Sequence, residues 1–199
     1  IMILLALLLA WAIYIFVERM VVLRHAGKED ATFMDKLKDF IHQGDIKSAM
    51  NLCEATDSPA SRMLEKGITR IGRPMQDIQV AIENVGNMEV AKLEKGFNWL
   101  ATTAAGAPMI GFLGTVIGMV QAFFNMSNAG NNIDITLLSS GIYEAMITTV
   151  GGLIVGILAY FGYNYLTSRI SDVVFSIENA TIEFMDALNE PEEAPKAEE

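Results

Sequence analysis

The chain opens on seventeen uncharged residues, IMILLALLLAWAIYIFV, with no charged position on any helical face. A run without a wetted face predicts a helix buried in lipid rather than an amphipathic surface helix. At 1.5 Å per residue it covers about 25 Å, short of the roughly 30 Å hydrocarbon core, so the first span (1–17) is expected to begin before Ile1. A signal peptide is disfavoured, because no basic stretch leads the run and no small-x-small site precedes Glu18 and Arg19. From residue 18 the pattern changes. Apolar positions now recur at helical spacing between charges, as in FMDKLKDFI and MEVAKLEKGF, which predicts a water-facing helical domain over 18–104. Thr56 to Pro59 reads as a break between helices, with Ser58 or Asp57 as cap and Pro59 in the first turn. Gly72 to Pro74 marks a weaker break, and residues 75–98 are expected to form one helix running directly into the membrane. The pattern then turns apolar again. A second membrane helix is placed at 105–127, a turn at 128–135 in SNAGNNID, and a third membrane helix at 136–163, with Tyr160, Tyr163 and Tyr165 at an interfacial belt. Residues 164–188 predict an amphipathic helix and 189–199 a disordered acidic tail.

Composition sharpens this reading through the distribution of charge. Asp, Glu, Lys and Arg make up 19% of the 199 residues, about the share of a soluble domain or slightly less, yet Trp99 to Ser168 carry only Asp134 and Glu144. Seventy residues with two charges leave soluble helices without a wetted face, so the chain is read as an all-α membrane protein. Lys and Arg set its orientation: Arg19, Arg24 and Lys28 follow the first span, Lys92 and Lys95 precede the second, Arg169 follows the third, and the 128–135 turn has none. The N-terminus is therefore expected outside, with the 18–104 domain and the C-terminus in the cytoplasm. A net charge of −10 lacks the basic footprint of a nucleic-acid binder. One cysteine, Cys53, allows no internal disulfide and reads as a small buried residue; His25 and His42 have no partners at metal-ligand spacing. No cofactor or metal is expected, and no hydrolase triad or paired catalytic carboxylates suggest an enzyme.

Candidate chemistry gathers in the second and third spans. Glu144, some eight residues into the third, costs several kcal/mol if it faces lipid, so it is expected to face a bundle interior or hydrated pore, where burial favours its neutral form. The alternative is a boundary glutamate that snorkels to water. Thr148, four residues on, shares its face, Thr149 lies further around, and Thr115 sits in GTVIG of the second span. Such hydroxyls can bond a protonated acid or ligand a cation; equally, each can satisfy itself on its own i−4 carbonyl. Gly106, Gly111, Gly114 and Gly118, with Gly151, Gly152 and Gly156, are expected to permit close helix packing, and Pro108 to allow a bend. GFLGTVIG lacks the Lys-Ser or Lys-Thr ending of a phosphate loop and lies in an apolar helix.

Three stretches carry a resemblance: FVERMVVLR at the first span exit, LEKGFNWLATTAAGAPMIGFLGTVIGMVQAF through the second, and SSGIYEAMITTVGGLIVGILAYFGYNYL through the third. With a GxLGTVxG run followed by GIxEAxxTTxxGL, the chain resembles the ExbB/TolQ/MotA family of bacterial inner-membrane motor subunits, most closely its ExbB branch. The resemblance is loose in the cytoplasmic domain, and the proline often found late in the third helix is absent near Leu158. It implies long helices extending from membrane into cytoplasm and a homopentameric ring around a central pore. It also implies two ExbD-like single-span subunits inside that pore, a TonB-like transducer, and lipid around the ring. The family's pore glutamate falls on Glu144, its second-helix threonine on Thr115 and its third-helix threonine on Thr149. The implied function is proton-driven energising of outer-membrane transport, with sodium as the alternative ion. Competing readings are a TolQ-like envelope motor, a motility motor, and a structural scaffold without ion flux.

Overall fold

The computed structural model describes residues 1–27, 32–128 and 135–189, all of them in helices or the short turns between them. Among the described residues the order is α1 (Met2–Ala26), α2 (Phe33–His42), α3 (Ile46–Ala55), α4 (Pro59–Ile68), α5 (Met75–Glu94), α6 (Phe97–Asn128) and α7 (Ile135–Asn189). The expected turn at 128–135 and tail at 189–199 fall almost wholly outside the described residues. Three stretches are long and apolar enough to cross a membrane: α1, the Met75–Asn128 run that contains α6, and the Ser139–Asn189 part of α7. The protein is an all-α, multi-pass membrane protein.

Two compact units divide the chain. The first comprises Ile1–Met20 and Lys95–Thr167. Here Leu5, Ala107 and Val155 bring α1, α6 and α7 together in a buried cluster, with Leu8, Leu9 and Ile110 against it. The contact between α6 and α7 is made almost without side chains. A Cβ on Gly152 would lie 2.6 Å from the Ala107 carbonyl oxygen and 2.8 Å from Gly111 Cα, and one on Gly118 2.8 Å from Ala145 Cβ. Lipid tails are as apolar as any side chain, so helices in a membrane associate by close backbone approach, which these glycines permit. Pro108 lacks the N–H that Ala104's carbonyl would accept, and Gly156 lets α7 approach both the proline ring (2.6 Å from its Cβ position) and that carbonyl oxygen (3.0 Å). Gly151 meets only side chains of α1, Met2 and Leu5, at ordinary contact distance. Gly106, expected to serve packing as well, has nothing within 4 Å of its Cβ position, because it lies off the stripe that faces α7.

The second unit, Val21–Glu94 with the chain from Ser168 onward, follows the rules of a water-soluble domain. Its helices are stopped and started by local chemistry. Gly44, in the left-handed region at φ +70, closes α2; Asp45 then caps α3 by accepting from the Ser48 backbone N–H at 3.1 Å. Ser58 caps α4 in a reciprocal pair with Ser61, and Pro59 follows in the first turn. Asp57, the other cap candidate, pairs with Arg62 instead. Leu37, Met63, Leu64, Ile68, Ile82 and Phe184 are fully buried. Cys53 is buried too, and burial, reinforced by Glu65, pushes its thiol up to about 12, so it stays protonated and unreactive.

One expected element is different. The helix from Met75 does not run to residue 98 but stops at Glu94, and α6 starts afresh at Phe97. Gly96, at φ +92, takes the left-handed conformation that ends a helix, and its missing Cβ leaves room for the Arg19 guanidinium 3.5 Å away.

Candidate functional site

Antiparallel packing of α6 on α7 sets the geometry around Glu144. Gly118 faces Ala145 and Ala122 faces Gly141, while Gly114 stands against Thr148 and Gly111 against Gly152. With a glycine opposite each of them, Thr148 and Thr149 reach the backbone of α6 directly. Thr148 Oγ1 lies 2.7 Å from the Ala145 carbonyl oxygen and 3.2 Å from that of Gly111. Thr149 Oγ1 is 3.3 Å from the same Gly111 oxygen and pairs closely with the Thr115 hydroxyl. Thr115 Oγ1 also reaches across to the Ala145 carbonyl oxygen at 3.0 Å. The three hydroxyls expected to matter thus form one cluster. Their carbonyl bonds run both within each helix and across to the facing one; the i−4 alternative describes only a long Thr115 contact with Gly111 at 3.5 Å, while Thr148's bond within α7 goes three residues back, to Ala145.

Glu144 itself lines a cleft of about 400 Å³, and its side chain is exposed in the single chain. Gly114, Gly118, Gln121, Ala145 and Thr148 share that lining with Ile117 and Ile147, and Ile1 together with Met2 and Ile3 of α1 closes one side of it. None of the hydrogen bonds of the three threonines goes to Glu144. Thr148 therefore connects the two features, lining the carboxylate's cleft and bonding into the threonine cluster, whereas Thr149 faces Thr115. Helical spacing from Glu144 singles out Thr148, and only the facing helix brings in Thr149. Gln121 was not anticipated. Its signal in the sequence is an amide three residues after Gly118, with only apolar residues between them, in an uncharged helix.

Around the site the surface is apolar. Met109, Phe112, Val120 and Phe124 on α6, and Tyr143, Met146 and Phe161 on α7, are each more than 60% exposed, which suits lipid or another subunit rather than water. Among the described residues no group of three or more His, Cys, Asp or Glu side chains could hold a metal ion. In the second unit, Glu89 is buried to 5% exposure and takes Arg62 Nη2 at 2.8 Å and Lys92 Nζ at 2.6 Å. Burial alone would raise its pKa, but the hydrogen bonds and charges of Arg62 and Lys92 together hold it below the ordinary value.

Comparison with known proteins gives a consistent result. Residues 55–179 match the pattern of the MotA/TolQ/ExbB proton channel family. The chain is 31% identical over 142 residues to an ExbB homologue of Methanothermobacter thermautotrophicus, covering 71% of this chain and 50% of that protein. It is 36% identical over 103 residues to the Tol-Pal system protein TolQ of Haemophilus influenzae (52% of this chain, 45% of that one). With the biopolymer transport protein ExbB of Neisseria meningitidis serogroup A it shares 26% over 180 residues (83% and 79%). Against the first of these relatives and against TolQ the chain spans half their length or less.

Proposed function

The chain belongs to the MotA/TolQ/ExbB proton channel family, and from that premise we propose that it is the ion-conducting subunit of an inner-membrane motor that works with an ExbD-like single-span partner. Members of this family are channel and motor subunits rather than enzymes. One observation carries the specific reading: a single carboxylate, Glu144, stands in an otherwise uncharged membrane-length stretch, at a cleft beside a cluster of three threonines. A charge in that position is costly in lipid and useful on an ion route.

In this reading five copies form a ring around two partner helices, each bringing an acidic side chain, so ring and core cannot match in symmetry. A proton arriving from outside neutralises one Glu144 and weakens its charged contacts. Its release toward the cytoplasm restores them and advances the core to the next subunit. One charge crossing 100 mV supplies roughly 2.3 kcal/mol, comparable to a charge-assisted hydrogen bond, so a few ions suffice for a step. Thr115, Thr148 and Thr149 hold the α6–α7 contact on the cytoplasmic side of the carboxylate, and the glycines set its width. The N-terminus lies in the periplasm and the C-terminus in the cytoplasm. The motor energises outer-membrane transport through a TonB-like protein. The match to TolQ supports an envelope-maintenance motor as the second reading, and the co-purifying partner separates the two.

The test is ion flux into proteoliposomes holding this protein with its co-purified single-span partner, under a proton gradient and then a sodium gradient. Glu144→Gln is expected to assemble normally and to abolish flux under the gradient that drives the native complex. Undiminished flux in that variant, or no flux from the native complex under either gradient, overturns the reading in favour of a scaffold.

A further inference from the structure

The three hydroxyls between α6 and α7 share a small set of acceptors, and the sharing has a consequence for how the helices are held. A backbone carbonyl inside a helix gives one lone pair to the N–H four residues on, which leaves one for a side chain. Two such carbonyls face the cluster, Gly111 on α6 and Ala145 on α7. The Thr115 and Thr149 hydroxyls pair closely, with one proton between them. Three hydroxyl protons therefore have three places: the Gly111 oxygen, the Ala145 oxygen and the Thr115–Thr149 contact.

Setting aside the Thr115 contact with Gly111, the longest of the set at 3.5 Å, two arrangements fill all three places. In the first, Thr149 donates to Gly111 at 3.3 Å, Thr115 donates to Thr149, and Thr148 donates to Ala145 at 2.7 Å. In the second, Thr115 donates to Ala145 at 3.0 Å, Thr149 donates to Thr115, and Thr148 donates to Gly111 at 3.2 Å. The other pairing, with Thr115 on Ala145 and Thr149 on Gly111 together, leaves no proton between the paired oxygens and no carbonyl for Thr148. Only Thr148 exchanges a bond within its own helix for one across the contact. Both of its acceptors are within reach of a single Oγ1 position, so the exchange turns the O–H and moves no heavier atom. Gly114 keeps that position open: a Cβ there would collide with Thr148 Oγ1 and lie 2.8 Å from its Cβ.

We propose that Thr148 is a two-position latch on the α6–α7 contact. Turned to Ala145 it leaves two hydroxyl bonds between the helices; turned to Gly111 it adds a third. The exchange accompanies proton uptake and release at Glu144, so the inference rests on the reading of Glu144 given above. Thr148 shares the helical face of Glu144 one turn on, where side chains four apart lie about 5–6 Å from each other at Cβ. A carboxylate that gains and loses its charge there changes the field on the hydroxyl. The Thr115–Thr149 pair reverses with it, because Thr148 takes the carbonyl that the pair vacates. Within the cluster no proton changes owner.

The experiment measures flux in proteoliposomes for the complex with its partner, comparing native protein with Thr148→Val, Thr148→Ala, Thr148→Ser, Thr115→Val and the double variant Thr115→Val with Thr148→Val. Valine keeps the branched shape without the hydroxyl, and alanine also avoids setting a methyl group against Gly114. Each is expected to lower flux about tenfold, the effect of one hydrogen bond, and serine to restore most of it. Thr115→Val ends the competition for Ala145 and leaves Thr148 parked there. The double variant is therefore expected to match Thr115→Val within about twofold, where independent bonds would multiply their losses. Unchanged flux in Thr148→Val and Thr148→Ala, beside native flux that depends on Glu144, overturns the latch and leaves the Glu144 reading intact. Losses that multiply in the double variant, or that serine does not restore, assign Thr148 a fixed packing role and also overturn it. Native flux that is absent or indifferent to Glu144 removes both readings.

Discussion

In the unit built from residues 1–20 and 95–167, the helices meet at their smallest side chains, and phenylalanine, methionine and valine point outward; in the unit built from 21–94 and the end of α7, the arrangement is reversed. Gly111, Gly118, Gly152 and Gly156 mark the contact in the first, while Leu37, Leu64, Ile82 and Phe184 fill the core of the second. The difference follows from the solvent. Water drives large apolar side chains inward, at about 25 cal/mol per Å² buried, but lipid gives no such reward and leaves dispersion and backbone fit to hold helices together. α7 obeys both rules along one continuous helix. Its glycines and threonines give way, beyond Ser168, to Val173, Ile177, Ala180, Phe184 and Ala187 buried at spacings of three and four.

The sharpest way to break the membrane half of this contrast is at Gly152. Any Cβ there meets two backbone atoms of α6, the Ala107 carbonyl oxygen at 2.6 Å and Gly111 Cα at 2.8 Å. Overpacking against side chains costs typically about 1–3 kcal/mol because they can rotate away, and backbone inside a helix cannot. Gly152→Leu is therefore expected to yield no monodisperse complex in detergent, and Gly152→Ala a complex whose melting temperature falls by many degrees. Recovery of a native-like melting curve from Gly152→Ala would mean that α6 and α7 are not locked at this contact.

The water-facing half breaks through charge. Glu89 joins α5 to α4 through Arg62 and is flanked by Lys92. Removing one partner of a fully buried pair costs about 3–5 kcal/mol, but the Arg62 side chain is 40% exposed and keeps Asp57, so Glu89→Leu is expected to cost less, about 1–2 kcal/mol. The sign of the pH dependence follows from the direction of its shift. A carboxyl held below its ordinary value of 4.5 in the folded state contributes stability that is complete above that value and disappears as pH falls through the lowered one. Melting curves between pH 7 and pH 3 are expected to show a steeper acid loss for native protein than for Glu89→Gln. Equal slopes would show that the pair contributes nothing to folding.

What could be read in advance divides along the same line. The α4 start was legible because capping is local: Ser58, Pro59 and Ser61 lie within four residues and need nothing distant. The three apolar spans were legible because membrane thickness imposes a length. The stop at Gly96 was not, since one glycine in a charged, helical pattern is tolerated as often as it terminates, and here it lies beside Arg19 from a distant part of the chain. At the candidate site, Thr148 follows from its spacing to Glu144, whereas the Thr115–Thr149 pairing and the presence of Gln121 in the cleft depend on the register of two helices. Periodicity within one helix contains no information about that register.

Gly106 offers the smallest effect and the finest test of the contrast. It belongs to the same glycine-rich helix as Gly111, yet its Cβ position has nothing within 4 Å. If small residues matter only where helices touch, alanine should be tolerated here and should gain what glycine loses in a helix interior, about 0.5–1 kcal/mol. Gly106→Ala is accordingly expected to raise the melting temperature of the purified complex slightly and to leave flux unchanged. A fall would mean that another chain in the assembled complex lies against this face as closely as α7 lies against Gly152. The sign of one small shift thus separates a lipid-facing glycine from one at a subunit contact.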